Sequence, residues 1–218
     1  MTLDLIKKAK IIFWDFDGVI KESVSVKSDA FEKLFQPFGI EIAKKVKRHH
    51  EKNGGMSRYK KLPIYLDWAG KESSESLVSE YEKKFSDLVI NEVINSPWVS
   101  GVLEYLKIHA NKQKFFIVTA TPHQEILLIL KELQIKELFE EVIGSPISKQ
   151  VAISQLINKY SISTDEAIMI GDSSNDYYAA IENEVQFILR KTEFNKNLQK
   201  QLKCRTINNF LYGQTKKN

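Results

Sequence analysis

The sequence predicts an α/β fold: a doubly wound, Rossmann-like parallel sheet with an α-helical domain inserted after its first strand. The first ground is the run Ile11-Ile12-Phe13-Trp14, which is short, continuously apolar and rich in β-branched and aromatic residues, as a buried strand is. From about Trp98 onward, similar apolar runs alternate with amphipathic stretches, which argues for a parallel sheet covered by helices. Between these regions, from about Ser23 to Ser96, no strand pattern occurs. The expected organisation is a core of residues 1–20 and 97–218 with a helical cap of residues 21–96.

The later strands are read in order. Phe115–Val118, Glu141–Gly144, Ala167–Gly171 and Gln186–Leu189 each combine β-branched or aromatic residues in a short run, and Thr206-Ile207 reads as a last, short one. After the second strand, Thr121-Pro122-His123-Gln124 has the form of a capped helix start, with Thr121 as N-cap, Pro122 at the first helical position and Gln124 closing a capping box. Ile126, Leu127, Ile129, Leu130 and Leu133 then supply an apolar face, as do Ile153, Leu156, Ile157 and Tyr160 further on. In the insert, helices are expected over roughly 25–36, 42–53 and 74–95, with a polar loop over 71–76. The tail 214–218 reads as low-complexity and polar.

Composition narrows the function. At 218 residues, the chain can bury one good core plus a smaller insert. The net charge of +4 is spread among scattered Lys and Glu, which reads as solvated helix faces and not as a nucleic-acid footprint. No apolar stretch approaches the roughly 20 residues of a membrane span, and the N-terminus lacks the order of regions of a signal peptide. Cys204 is the single cysteine, so no internal disulfide can form. A reducing, cytoplasmic setting is expected.

The chemistry gathers at strand ends. Asp15-Phe16-Asp17-Gly18 closes the first strand, and two carboxylates there need a compensating charge, for which a hard divalent cation is suited. Gly18 lets the backbone turn sharply. Thr119 ends the second strand, Lys149 opens the helix after Ser145-Pro146, and Gly171-Asp172-Ser173-Ser174-Asn175-Asp176 follows the Ala167–Gly171 strand. In an open parallel sheet, ligands bind outside the carboxyl ends of the strands, so these groups converge on one edge. The set is oxygen-rich, fit for Mg²⁺ beside an anion.

This ordered set, with Val19 after Gly18 and Val118 before Thr119, resembles the four motifs of the haloacid dehalogenase superfamily. The helical insert between the first two motifs resembles the phosphoglycolate phosphatase and β-phosphoglucomutase branch. The resemblance implies a Mg²⁺-dependent phosphatase of a small phosphorylated metabolite. Asp15 would be the nucleophile that becomes an aspartyl phosphate, and Asp17 the acid and base. Asp15, the Asp17 carbonyl, Asp172 and Asp176 would serve the metal. Thr119, Ala120 and Lys149 would hold the phosphoryl oxygens, although Ala120 stands where many members have Asn or Gly. The resemblance leaves open a phosphomutase, a phosphonate hydrolase with a cap lysine, and a silent phosphate-binding protein. Asp17 and Asp172 argue against a dehalogenase, which needs neither leaving-group acid nor metal. The partners expected are a small phosphorylated metabolite, no nucleic acid and no membrane, in a monomer or weak homodimer.

Within the insert, Asn53-Gly54-Gly55-Met56-Ser57-Arg58 stands out as a flexible turn followed by an arginine suited to bidentate anion contacts. Arg58 is therefore a candidate substrate contact. His49 and His50 read as helix-face residues, Lys21 and Glu22 as hinge or site rim, and His123 as able to edge the site.

Overall fold

The computed structural model describes residues 2–211, so the expected tail at 214–218 lies outside them. After helix α1 (Thr2–Lys8), strand β1 (Ile11–Trp14) occupies the middle of a six-stranded sheet ordered β3-β2-β1-β4-β5-β6. The others are β2 (Lys114–Pro122), β3 (Glu141–Ser145), β4 (Ala167–Gly171), β5 (Gln186–Arg190) and β6 (Arg205–Ile207). Every pairing is parallel. The chain winds from β1 to one edge through β2 and β3, then returns to start the other edge at β4. The crevice between β1 and β4 is thus the topological switch point. Asp15 donates its backbone N–H to the Ile170 carbonyl across it, at 3.0 Å.

Both faces of the sheet are buried, as its continuous apolar runs require. Ile12, Trp14, Phe115 and Ile117 face one side, and Ile11, Phe13, Phe116, Val118 and Met169 the other. The covering helices include α6 (Val102–His109), α7 (His123–Glu132), α8 (Lys149–Tyr160) and α9 (Ser174–Glu182); α10 (Lys196–Gln201) precedes β6. No helix among the described residues is long and apolar enough to cross a membrane.

The insert is helical: α2 (Val24–Phe35), α3 (Ile40–Lys52), α4 (Arg58–Trp68) and α5 (Glu75–Asn95). Its centre is aromatic, with Phe31 lying 3.9 Å from Phe85 and 5.3 Å from Tyr65 between ring centroids. Helix α4 has no counterpart in the sequence reading. Pro63 sits inside it, and its first turn carries Arg58, Lys60 and Lys61, a pattern that reads as loop. The two crossings between insert and core run side by side. Glu22 donates to the Pro97 carbonyl and Val99 to the Ile20 carbonyl, at 2.8 and 3.0 Å. Lys21 lies buried at this hinge, its ammonium bonded to the Ile94 carbonyl at 2.9 Å and set 4.4 Å from the Trp98 ring.

Two linked expectations are corrected: Thr119 lies inside β2 and does not end it, and the helix after the strand starts differently. Thr121 does not cap α7: β2 continues through Pro122, the helix begins at His123, and no side chain caps it. The Thr121 hydroxyl is engaged by Asp17 and Lys27.

Candidate active site

Asp15 follows β1 directly and lies buried in the crevice. Its Oδ1 receives a hydrogen bond from Lys149 Nζ at 2.9 Å. Lys149 reaches there from the first residue of α8, a start fixed by Ser148, whose hydroxyl accepts from Val151 N–H. Its ammonium also bonds Asp176 Oδ1. Burial alone would lower the Lys149 pKa, but the charges of Asp15 and Asp176 override it and hold the group protonated, above its ordinary value.

Asp172 follows β4, and Asp176 lies in the first turn of α9. Ser173 and Asp176 form a capping box, with the Asp176 carboxylate accepting from the Ser173 N–H and hydroxyl at 3.0 and 2.6 Å. Asp176 is therefore occupied by Lys149 and Ser173. It orients the lysine and fixes the loop that presents Asp172. Oxygens of Asp15, Asp172 and Asp176 all come within 4.8 Å of one another. Burial, then repulsion from Asp176, pushes the Asp15 pKa up to about 7. Burial and the charges of Asp15 and Asp176 likewise raise Asp172 well above the usual carboxylate range. Hard oxygen donors that repel one another at one sheet edge form a group that could hold a metal ion. Gly18 makes room for it: at φ +74°, a Cβ there would stand 2.4 Å from Asp172 Oδ2.

Asp17 faces a different set of partners. Its carboxylate receives Lys27 Nζ at 2.5 Å, the Ser23 hydroxyl at 2.6 Å and the Thr121 hydroxyl at 3.0 Å. Burial works to raise its pKa, but the Lys27 charge and these bonds outweigh that and hold it below the ordinary value. Lys27 also donates to Thr121 Oγ1 at 2.8 Å, which is why Thr121 is not a helix cap. Thr119 is buried and accepts from the Thr121 N–H at 3.2 Å, while the Ala120 carbonyl accepts from Ser145 Oγ at 2.9 Å.

Over these groups lies a small cavity of about 40 Å³. Its floor is Asp15, Asp17, Thr119, Ala120 and Asp172; its roof comes from the insert and includes Lys27, His50, Arg58 and Lys61. Gly55 brings the roof down onto the core. Its carbonyl accepts from Asn175 Nδ2 at 2.8 Å, and a Cβ there would meet Ser173 Oγ at 2.3 Å. Arg58 lines the cavity, yet its guanidinium is held by Glu125 and Ser86 at 2.5 and 2.6 Å. His50 is buried against Phe31 and bonded to Lys61, with its pKa pushed well down by burial and by the Lys61 charge. His123 does not line the cavity.

Sequence reasoning missed Lys27, Lys61, Glu125 and Thr121. A signal for two of them existed: Lys27 shares a helix face with Phe31 and Leu34, and Lys61 lies beside Leu62 on the face of Tyr65 and Leu66. A charge inside an apolar stripe marks a buried group.

A strand-end nucleophile candidate, a buried lysine and a paired acidic loop on a doubly wound sheet define a class of α/β hydrolase, and comparison places the chain within it. The model of the haloacid dehalogenase-like hydrolase family matches residues 11–190, and the chain belongs to that family. Phosphoglycolate phosphatase of Photobacterium profundum is 28% identical over 185 residues, 78% of each chain. That of Aliivibrio fischeri is 23% identical over 181 residues, 78% of this chain and 79% of the relative. Among solved structures, a haloacid dehalogenase-like hydrolase of Streptococcus pneumoniae superposes with a TM-score of 0.68 at 20% identity, covering 94% of this chain and 95% of that one. CbbY of Rhodobacter sphaeroides, in complex with xylulose-(1,5)bisphosphate, gives 0.74 at 12% identity, covering 93% and 95%. These structures share the fold. The family expected from the motifs is the one found.

Proposed function

We propose that this protein is a Mg²⁺-dependent phosphatase of a small phosphomonoester, of the kind phosphoglycolate phosphatases hydrolyse. The observation that carries the reading is Asp15 held by Lys149 at 2.9 Å beside Asp172 and Asp176. Its curated relatives carry the phosphoglycolate phosphatase name. Bound among Asp15, Asp172 and the Asp17 carbonyl, Mg²⁺ would offset the charge of the carboxylates and of the phosphoryl oxygens.

The remaining work falls to side chains. One Asp15 oxygen attacks phosphorus, forming the aspartyl phosphate as the P–O bond to the alcohol breaks. Lys149 stays protonated and neutralises the approach of two anions, while Asp176 keeps it aimed. The Thr119 hydroxyl and the Ala120 N–H orient the phosphoryl oxygens. Asp17 exchanges the proton: it protonates the departing alkoxide, then takes a proton from the water that hydrolyses the intermediate. In the resting site Lys27 holds Asp17 ionised, so the protonated form needs the contact between them to loosen when substrate binds.

The test is phosphate release from a panel of phosphomonoesters, with Asp15→Asn as control. The expected outcome is release that requires Mg²⁺ and falls at least ~10³-fold in the variant, whose melting stays cooperative. Release within tenfold of the parent overturns the assignment. Isomerised sugar phosphate without free phosphate makes the protein a mutase.

A further inference from the structure

The roof of the cavity has an imbalance of charge. It contributes three cations from the insert, and two are already neutralised: Lys27 by Asp17, Arg58 by Glu125. Lys61 is different. It is fully buried, lines the cavity, and has no carboxylate partner among the described residues. Among the described residues, the one hydrogen bond of its ammonium is to His50 Nδ1 at 2.9 Å. An ammonium carries three donors, so two remain unused. Its ammonium lies 6.0 Å from the centre of the Phe31 ring, and the cavity it lines also has Val24, Met56 and Phe85 in its wall, apolar surroundings that strengthen an ionic contact made there.

A buried, unpaired lysine is costly to a fold, and the cost here is compounded by the neighbouring cations. Burial works hardest against the Lys61 charge, followed by the charge of Lys27, with Asp17 opposing. An anion arriving in the cavity relieves burial and repulsion together. The surplus charge sits on the insert side of the cavity, opposite the floor where Asp15 and Lys149 would take the phosphoryl group. The small cavity leaves little room for a long linker between the two anions.

Resting on the phosphatase reading, we propose that Lys61 is a specificity determinant that holds a second, non-reacting anionic group of the substrate, a carboxylate or a second phosphate separated from the reacting phosphate by a short linker. His50 is its positioning residue: a neutral imidazole that accepts one ammonium hydrogen and turns the other two toward the cavity. The substrate class is a small doubly anionic phosphomonoester, and a neutral alkyl phosphate of the same size is the poor substrate.

Kinetics and binding test this together. 2-Phosphoglycolate and ethyl phosphate differ mainly in the second anion, and ethylene glycol bisphosphate replaces the carboxylate with phosphate. The parent should prefer at least one doubly anionic substrate over ethyl phosphate in kcat/KM, and the preferred one identifies the anion. Lys61→Met, or Lys61→Gln if the first folds poorly, should cut that preference by about 10- to 100-fold, the range of a charge-assisted contact. Lys61→Arg should restore part of it. In parallel, calorimetry compares phosphonoacetate with ethylphosphonate, neither of which turns over. The parent should bind the first more tightly and Lys61→Met should erase the difference. A preference unchanged in the variants, or equal losses on both substrates, overturns the proposal. If nothing is hydrolysed but the binding difference depends on Lys61, the anion site stands and the phosphatase reading fails.

Discussion

Arg58 of the helical insert meets Glu125 of the core at 2.5 Å, each side chain only 5% exposed. The pair joins α4 to α7, and Ser86 closes a triangle by accepting from Arg58 and donating to the second Glu125 oxygen at 2.8 Å. Phe85 lies under the guanidinium, 4.5 Å from its carbon to the ring centre. The arginine expected from sequence to reach for substrate thus also latches insert to core over the cavity.

The latch makes a direct prediction. Glu125→Gln keeps the shape but leaves a buried guanidinium without its counter-charge, a loss of about 3–5 kcal/mol. For a chain of this size, Tm should fall by on the order of 10 °C. Replacing both partners with apolar residues, Arg58→Met with Glu125→Leu, should lose less than Glu125→Gln alone. Thermal melting decides: a Gln variant within 1–2 °C of the parent would mean that the pair holds nothing together.

How far the sequence reached has a physical explanation. Asp15, Asp172 and Lys149 were legible because each is tied to a strand end or helix start, and apolar strands with turn residues announce those places locally. The insert's helices 24–35, 40–52 and 75–95 were legible from their periodicity. Lys27 and Lys61 left only the faint signal of a charge inside an apolar stripe and Glu125 left none, because each is one charge among many on a helix, and the packing of several helices decides which charge turns inward. Thr121-Pro122 shows the converse. Its pattern is that of a helix start, but the Asp17–Lys27 ion pair takes the Thr121 hydroxyl and the strand runs on.

Metal binding should be visible without turnover. Asp15, Asp172 and Asp176 repel one another in a buried place, so a divalent cation that binds only the folded protein should stabilise it. At a hundredfold excess over Kd, the gain is about 2.7 kcal/mol, a Tm rise of several degrees. The comparison is melting in chelator against melting in Mg²⁺, for the parent and Asp172→Asn. The variant should lose most of the Mg²⁺-dependent rise. An equal rise in both proteins would place the ion elsewhere.

Lys61 should leave a mark on the pH dependence of stability. Burial, together with repulsion from Lys27 and Arg58, lowers its pKa well below 10.5 in the folded protein, while Asp17 opposes. In the unfolded chain it titrates near its ordinary value. Between these two values the unfolded state binds more protons than the native state, so stability rises with pH across that window. Asp15, raised to about 7, has the opposite sign: its contribution is present at low pH and is lost as pH rises through the folded value. That term is common to the parent and to Lys61→Met, so the difference between the two proteins isolates the lysine. Denaturant unfolding at pH 7 and pH 9.5 should show the parent gaining on Lys61→Met as pH rises. A constant gap between them would mean that Lys61 titrates in the folded protein as it does in the unfolded chain, and that its ammonium is already compensated without a ligand.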